Sequence, residues 1–210
     1  MRITVFIADD HTLMREGLRS LLAAHAGIDV VGSASSGVET IREVLRLRPQ
    51  IVLMDISMPE LNGIEATRQL TERCPATRVI ILSMHATAEH QYQAIRAGAW
   101  GYLLKESATE EVVEAVRAVH VGRRFISAGI VARFKPGPGG HSPIESLSRR
   151  EREVLQLVAE GRSSSDIGGL ISISPKSVDT YRSRLMHKLG MRGTPELVKF
   201  AIRNGLIPLG

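Results

Sequence analysis

The sequence predicts an α/β unit with a five-stranded parallel sheet, followed by a small all-helical unit. Over residues 1–122, short apolar runs alternate with segments of helical periodicity. The stretch Phe134–Pro143 is rich in glycine and proline, which is typical of a linker. Helix start and stop signals then follow one another to the end of the chain. We therefore predict an α/β domain over 1–122, a linker over 123–143 and a helical domain over 144–210.

Five apolar runs are the predicted strands of the first unit: Ile3–Ala8, Val30–Ala34, Ile51–Met54, Val79–Leu82 and Gly101–Leu104. Segments with apolar residues on one helical side are the predicted helices: Leu13–Ala24, Val38–Leu47, Gly63–Arg73, Ala88–Ala97 and Glu110–Val121. Strands that alternate with helices form a parallel sheet with right-handed crossovers and helices on both faces.

The second unit begins with a capping box, in which Ser148 precedes Glu151 by three residues. The helix that follows is predicted to stop at Gly161. A short helix over Ser165–Ile171 and a longer one over Pro175–Leu189 are joined by a tight turn, the arrangement of a helix-turn-helix. A last helix is predicted over Pro195–Asn204.

Composition limits the classes of protein that the chain can belong to. The chain has 210 residues, of which 43% are hydrophobic, and no run of about 18 apolar residues that would cross a membrane. The first residues are not typical of a signal peptide. With Cys74 as the single cysteine no disulfide framework can form within one chain, so we expect a reducing cytoplasm.

The charge is divided unevenly between the two units. Residues 1–122 carry 12 Lys and Arg against 15 Asp and Glu, a net charge of −3. Residues 123–210 carry 15 against 7, a net charge of +8. A basic second unit indicates an anionic partner, and nucleic acid is the first candidate. A solvated basic surface without such a partner is the alternative.

Polar side chains stand at the carboxyl ends of the predicted strands, where open parallel sheets bind ligands: Asp9, Asp10, Asp55, Ser83 and Lys105. Each alone would be an ordinary cap or a solvated residue. Together, three carboxylates repel one another unless a cation joins them, and hard oxygen ligands suit Mg²⁺. Such a site could hold a phosphoryl group, with one carboxylate as nucleophile and the ammonium neutralising the transferring oxygens.

The motifs "ADDH", "LMDISMPELNG", "ILSMH" and "GAWGYLLKES" resemble the receiver domain of two-component response regulators, over about residues 1–122. The resemblance implies a flavodoxin-like doubly wound sheet. It implies that Asp55 is the phosphoacceptor and that Asp9, Asp10 and the backbone carbonyl of Ser57 complete a Mg²⁺ site with it. It further implies that Lys105 and Ser83 bind the phosphoryl group and that Tyr102 is a rotating switch residue.

One departure concerns the residue after the lysine, because many receivers have proline there and this chain has Glu106. We therefore expect a trans peptide bond at this position. Trp100 is expected to pack rather than to act. His11, His85 and His90 lack the paired spacing of a zinc site and are expected at the surface or at the edge of the acidic site, His85 through its nearness to Ser83.

The helix predicted over Pro175–Leu189 separates an apolar face from a polar one. Its core residues are Val178, Tyr181, Leu185 and Leu189, and its candidate DNA contacts are Lys176, Ser177, Asp179, Thr180, Arg182, Ser183, Arg184 and Lys188. Arginine and lysine mostly meet phosphate, so Asp179, Thr180 and Ser183 are the candidates for base edges. A protein-interaction domain with a polar face is the alternative.

The motifs "LSRREREVLQLVAEG", "ISPKSVDTYRSRLMHKLGM" and "ELVKFAIRNGLI" resemble the LuxR-type DNA-binding domain, over about residues 144–210. The whole chain therefore resembles a NarL/FixJ-type response regulator, in which the final helix often contributes to dimerisation. The segment "SSDIGGL" departs from the family pattern: Ser165 stands where lysine is usual, and Gly168 and Gly169 should each cost about 1 kcal/mol relative to alanine. Tyr181 stands where histidine is frequent. We expect DNA binding that is weaker, or more dependent on dimerisation, than in a typical member.

The resemblance implies a DNA-binding transcription regulator, not an enzyme, that is controlled by Mg²⁺-dependent phosphorylation of Asp55. Its implied partners are a sensor histidine kinase, double-stranded DNA and a second phosphorylated copy of the chain, with RNA polymerase left open. Three rivals remain: a DNA binder whose receiver is vestigial, a signalling adaptor, and a hydrolase with an aspartyl-phosphate intermediate. The hydrolase is disfavoured because Ser57 stands where such enzymes carry a second acid.

Overall fold

The structure is a computed structural model that describes residues 2–84, 88–106, 108–127, 143–204, 206 and 207. The chain divides into two compact units, residues 1–135 and 136–210. The division falls in the segment 128–142, which lies outside the described residues and makes up most of the predicted linker. The predicted limits of the linker therefore stay a prediction.

The first unit is built on a parallel six-stranded sheet with the order β2-β1-β3-β4-β5-β6. Its strands are β1 (Ile3–Ala8), β2 (Ile28–Ala34), β3 (Ile51–Asp55), β4 (Arg78–Ser83), β5 (Gly101–Leu104) and β6 (Phe125–Ile126). Five helices alternate with the strands: α1 (Thr12–Ala23), α2 (Gly37–Leu47), α3 (Gly63–Arg73), α4 (Ala88–Arg96) and α5 (Ala108–His120). The predicted doubly wound fold is confirmed, with bounds that differ from the prediction by a few residues at most.

Two hydrophobic cores lie on opposite faces of the sheet because side chains alternate along a strand. One core takes Leu53, Ile80 and Leu82 from the sheet and packs them against α1 and α5. The other takes Val52 and Ile81 and packs them against α2, α3 and α4. The strands are buried on both faces, which explains their continuous apolar sequences.

The sixth strand is one more than the sequence predicted. Phe125 and Ile126 pair with Gly101 and Tyr102 of β5, and the backbone N–H of Ser127 donates to the carbonyl of Tyr102 at 2.9 Å. The strand has only two residues, which is too short for an apolar period to reveal it. The region predicted as linker therefore begins with a sheet strand.

The second unit contains a 3₁₀-helix over Pro143–Ser146 and four α-helices: α6 (Arg149–Ala159), α7 (Ser164–Ile171), α8 (Pro175–Leu189) and α9 (Thr194–Arg203). The predicted capping box is present, because Ser148 accepts from the backbone N–H of Glu151 and the Glu151 carboxylate accepts from that of Ser148. A second, unpredicted capping box joins Ser163 and Asp166 at the start of α7. Buried apolar residues from all four α-helices form one core, among them Leu155, Ile167, Val178, Leu185 and Leu197.

The two glycines of α7 have different surroundings. A Cβ at Gly168 would lie 2.6 Å from the carbonyl oxygen of Ile173, so the turn into α8 approaches the helix too closely for alanine. A Cβ at Gly169 would meet nothing within 4 Å. The structure thus corrects the sequence-based expectation for Gly168, whose lack of a side chain is what allows the close turn. The penalty expected for Gly169 stands.

Within the described part of the chain, no helix combines the length and the hydropathy that crossing a membrane requires.

Candidate functional site

The predicted acidic site assembles at the carboxyl edge of the sheet. Asp9 and Asp10 follow β1, Asp55 is the last residue of the adjacent β3, and Lys105 follows β5. Because all these strands are parallel, their carboxyl ends meet at one edge. The connections from β1 and from β3 run to helices on opposite faces of the sheet, α1 and α3, which leaves a crevice between the two strand ends.

Lys105 joins the two buried carboxylates. Its Nζ lies 2.7 Å from Asp55 Oδ2 and 2.8 Å from Asp9 Oδ2, and all three side chains are at most 3% exposed. Burial lowers the pKa of Lys105, but the two carboxylates outweigh burial, so the pKa lies above its ordinary value. The ammonium therefore stays charged at neutral pH and offsets part of the carboxylate repulsion.

The pKa of Asp55 is raised to about 6. Burial is the largest cause, and the nearby charge of Asp9 adds to it, whereas the ammonium of Lys105 and the backbone N–H of Ser57 lower it. The N–H of Ser57 donates to Asp55 Oδ1 at 3.3 Å. Asp55 is thus ionised at neutral pH but costs free energy in that state, which a further cation would relieve.

Asp10 and His11 complete a group of possible metal ligands. Side-chain ligand atoms of Asp9, Asp10, His11 and Asp55 lie within 4.8 Å of one another. The imidazole Nδ1 of His11 is 2.8 Å from Asp10 Oδ1 and 3.2 Å from Asp9 Oδ1. His11 lies at the exposed edge of the site, as the sequence led us to expect, whereas its place among the candidate metal ligands was not predicted. Its position directly after Asp9 and Asp10 was the signal that could have found it.

The donor set fits a hard divalent cation. Three carboxylates converge with one lysine among them, which leaves an excess of negative charge at a largely buried place. Oxygen donors of this kind suit Mg²⁺, which keeps several waters and accepts phosphate as a further ligand. The guanidinium of Arg15 donates to the backbone carbonyl of Asp9 at 2.7 Å and so fixes the strand end that carries two of the donors.

The loop after Asp55 is held close to the site by glycine. A Cβ at Gly63 would lie 1.9 Å from the carbonyl oxygen of Asp55, so only glycine allows α3 to begin there. Asn62 caps α3 by accepting from the N–H of Glu65 at 2.9 Å, and the N–H of Gly63 donates to Ile56. The sequence "MPELNG" therefore turns the chain back tightly against the end of β3.

Ser83 is the last residue of β4 and Tyr102 is the second residue of the neighbouring β5, and both side chains are buried. Burial raises the pKa of the Tyr102 hydroxyl to about 12, and a hydrogen bond with Ser83 lowers it slightly against that trend. The ring of Tyr102 therefore points inward in this structure, with its hydroxyl in contact with Ser83. His85, predicted to border the site, lies outside the described residues.

Two expectations about neighbouring residues are confirmed. The peptide bond between Lys105 and Glu106 is trans, since the described residues contain no cis bond. Trp100 packs, with the guanidinium of Arg78 4.6 Å above its ring. The same guanidinium donates to the carbonyls of Val119 and His120 at 2.5 and 2.7 Å and thereby caps α5.

Helix α8 carries the predicted DNA contacts on its outer side. Six of the eight candidates are exposed: Lys176, Asp179, Thr180, Ser183, Arg184 and Lys188. Ser177 and Arg182 are half-buried. The opposite side holds the buried Val178 and Leu185, as the helical period predicted.

Three of these candidates have partners on other helices of the second unit. Lys188 Nζ lies 2.8 Å from the buried carboxylate of Glu151, whose pKa stays below its ordinary value although burial raises it. Ser164 donates to Asp179 at 2.7 Å, and Arg182 donates to Ser164 at 3.2 Å. Lys188 therefore connects α8 to α6, and Asp179 connects it to α7. For either residue to contact DNA, its existing bond to Glu151 or Ser164 would have to break or accept a second partner.

Both units match known protein families. Residues 5–117 match the response regulator receiver domain, and residues 145–201 match the luxR family of bacterial regulatory proteins. The response regulator UvrY of Escherichia coli K12 is 37% identical over 209 residues, which cover 97% of this chain and 95% of UvrY. The response regulator GacA of Pseudomonas protegens is 36% identical over 208 residues, 98% of each chain.

Solved structures agree with the sequence relatives. The response regulator RcsB in a complex with DNA is similar with a TM-score of 0.62 and 25% identity, over 95% of this chain and 98% of that chain. The fold, the carboxylates at its edge and both family matches lead to the same class. The chain belongs to the NarL/FixJ-type response regulators, with a receiver domain followed by a LuxR-type helix-turn-helix.

Proposed function

We propose that this response regulator is switched by phosphorylation of Asp55 and that the switch controls DNA binding by α8. The observation that carries the proposal is the burial of Asp55 at a strand end, 2.7 Å from the ammonium of Lys105. A carboxylate in this position is costly as a mere structural group. Its position is reasonable if it reacts and if the surrounding cations stabilise the product.

Asp55 would act as the nucleophile toward a phosphorylated partner histidine kinase or a small acyl phosphate. A carboxylate oxygen forms the new bond to phosphorus while the bond from phosphorus to the donor nitrogen or oxygen breaks. Lys105 would hold the transferred oxygens by charge. Mg²⁺, held by Asp9, Asp10, Asp55 and the backbone carbonyl of Ser57, would supply further charge neutralisation to the phosphoryl oxygens.

Ser83 and Tyr102 would change their positions when Asp55 carries a phosphoryl group and so alter the surface of the receiver. The group adds a charge of about −1.5 to −2 and three acceptor oxygens. The hydroxyl of Ser83 would donate to one of them and so compete with its hydrogen bond to Tyr102, which supports a role for both residues in the switch. A shift of a few kcal/mol toward a pairing-competent state is sufficient.

The second unit would bind DNA as a dimer. Helix α8 would enter the major groove with Asp179, Thr180 and Ser183 toward base edges and its basic residues toward phosphates. Two copies bound to a two-fold site would mirror their own symmetry, with α9 contributing to the pairing. The similarity to RcsB supports this, since that protein is known both in a complex with DNA and as two dimers bound to two parallel DNAs. Contact with RNA polymerase on the DNA is a further part of the proposal.

The rival in which the receiver is vestigial predicts DNA binding that ignores Asp55. The complete set of Asp9, Asp10, Asp55, Ser83 and Lys105 speaks against it, because buried charges without a task are expensive. Turnover by a hydrolase is disfavoured as before: Ser57, two residues after Asp55, offers no second carboxylic acid. The chain is therefore proposed to regulate rather than to catalyse.

The test is phosphorylation by a small acyl phosphate with and without Mg²⁺, measured by the intact mass of the full chain. We expect wild type to gain one phosphoryl group only with Mg²⁺, and Asp55→Asn to gain none. The matched control is Asp29→Asn, which removes an exposed carboxylate of β2 and should behave as wild type. Equal labelling of Asp55→Asn and wild type would refute Asp55 as the acceptor.

A further inference from the structure

A basic cavity lies in the first unit, away from the acidic site. Its volume is about 590 Å³, and it is formed by the outer side of α5, the turn after it, the start of β6 and the residues after α1. Volumes of about 300 to 1,000 Å³ are usual for small-molecule sites. The charged side chains around it are those of Glu114, Arg117, Arg123 and Arg124, and the imidazole of His25 lies beside them.

None of the three arginine side chains has a structural partner among the residues that the structure describes. Within the described residues, the guanidinium groups of Arg117, Arg123 and Arg124 form no ion pair and no side-chain hydrogen bond, and all three side chains are exposed. They are not needed to neutralise the end of α5 either, since Arg78 already donates to its last carbonyls. Three like charges within eight residues repel one another, which favours an anion between them.

The local charge is opposite to that of the unit that contains it. Glu114 is the single acidic group among the lining residues, so the three arginines leave a net charge of +2 there. Residues 1–122 as a whole carry −3. The imidazole of His25 adds a further polar group, with its Nδ1 2.8 Å from the carbonyl of Leu21.

The remaining lining is apolar. Val113 and Ala118 of α5 and the ring of Phe125 of β6 face the cavity. A cavity that joins guanidinium groups to an apolar floor suits a ligand with phosphates at one end and a flat apolar group at the other. A concave shape also favours a small ligand over a polymer, which would need a more extended surface.

We propose that this cavity binds a small phosphorylated ligand of the nucleotide class, with the phosphates at Arg117, Arg123 and Arg124. Arginine binds phosphate through two parallel hydrogen bonds, which makes it the preferred residue for this task. The ring of the ligand would lie against Phe125. The site is separate from the acidic edge, so this proposal holds whether or not Asp55 is phosphorylated.

The experiment is calorimetric titration of the full, unphosphorylated chain with ATP and with inorganic pyrophosphate, in EDTA so that no metal occupies the acidic site. We expect saturable binding of one ATP per chain, and weaker binding of pyrophosphate, which lacks a ring. The double variant Arg123→Ala/Arg124→Ala should weaken ATP binding by about tenfold or more. Both residues are exposed, so the variant is expected to fold.

The matched control is Arg42→Ala/Arg73→Ala, which removes two exposed arginines from α2 and α3 on the opposite face of the sheet. It should leave the ATP affinity unchanged within about twofold. The proposal is overturned by the absence of saturable ATP binding, or by equal losses in the two double variants. It is also overturned if only the affinity for a DNA duplex depends on Arg123 and Arg124, because the surface would then belong to the DNA contact.

Discussion

The two units hold the charges of their candidate functional sites in opposite ways. In the receiver, the side chains of Asp9, Asp55 and Lys105 are almost completely buried, and the Lys105 ammonium lies within 2.8 Å of both carboxylates. In the helix-turn-helix, the charged residues of α8 are mostly exposed to solvent. The receiver thus places a few charged groups together in a buried site, whereas the second unit spreads its charged side chains along an exposed helix face.

This difference determines how each site tolerates change. A buried charge that loses its partner keeps its full desolvation cost, so single substitutions in the receiver should have large effects. An exposed charge that contacts phosphate contributes one part of a sum, so single substitutions on α8 should have small effects on stability and graded effects on DNA affinity.

Lys105→Met should have the largest effect, because it leaves the buried carboxylates of Asp9 and Asp55 without a cation. We expect the free energy of unfolding to fall by about 3–5 kcal/mol in metal-free buffer, and Mg²⁺ to restore much of it. Urea unfolding followed by the fluorescence of Trp100, the only tryptophan of the chain, measures the receiver unit. Arg73→Met, at an exposed position of α3 in the same unit, is the control. Equal losses for both variants would contradict a central role of the buried pair.

Asp55→Asn should raise the free energy of unfolding, whereas Lys105→Met lowers it. The pKa of Asp55 is about 6 in the folded chain and 3.8 as the ordinary value, so the folded state holds the proton more tightly. The group therefore reduces stability as the pH rises from about 4 to about 6, and the full reduction is present above that range. At neutral pH without metal, the amide should raise the free energy of unfolding by about 1–3 kcal/mol.

The stabilisation of Asp55→Asn relative to wild type should decrease as the pH falls below 6 and nearly disappear at about pH 4. Urea unfolding at a series of pH values measures it, with Asp29→Asn as the exposed control. Mg²⁺ should reverse the order of the two proteins, since it stabilises the wild-type carboxylates more strongly. A stabilisation that is constant across this pH range would contradict the stated cause.

Gly168→Ala and Gly169→Ala form a pair within α7. The first places a Cβ 2.6 Å from the carbonyl of Ile173 and should destabilise the second unit by about 1–3 kcal/mol. The second meets nothing and should stabilise it by about 0.5–1 kcal/mol. Hydrogen exchange of peptides from α7 and α8, measured by mass spectrometry, resolves the two effects. Changes of the same sign would show that the turn can move away from α7.

Arg184→Ala should have the smallest effect on stability, within about 0.5 kcal/mol, because the side chain is exposed. Its effect should appear in DNA affinity, which falls by a similar factor for all sequences, while the salt slope decreases by about 1. Fluorescence anisotropy at several salt concentrations measures both quantities. A change in sequence preference would show that Arg184 contacts a base instead.

Much of the fold follows from the sequence because strands buried on both faces are apolar throughout and helices carry clear caps. The carboxylates and Lys105 were predictable for the same reason, since strand ends in a parallel sheet meet at one edge. Strand β6 was not, because two residues contain no period. The pairing of Lys188 with Glu151 joins residues from two helices, and no local pattern records such a contact.

The glycines and His11 illustrate a further limit. Propensity assigns a cost to every helical glycine, but only the surroundings show that a side chain at Gly168 or Gly63 would strike a carbonyl oxygen. Propensity is therefore a poor guide where two backbones approach closely. His11 was discounted because zinc sites need paired histidines, although a histidine beside carboxylates needs no second one to join them.

We propose that the buried carboxylate of Asp55 controls DNA binding by the exposed charges of α8. The direct test is the affinity of the full chain for a duplex selected from a random pool with the phosphorylated protein. Anisotropy titrations should show tighter binding after treatment with acyl phosphate and Mg²⁺ for wild type, and no change for Asp55→Asn. If wild type binds equally well before and after it has gained a phosphoryl group, phosphorylation of Asp55 does not control DNA binding by α8.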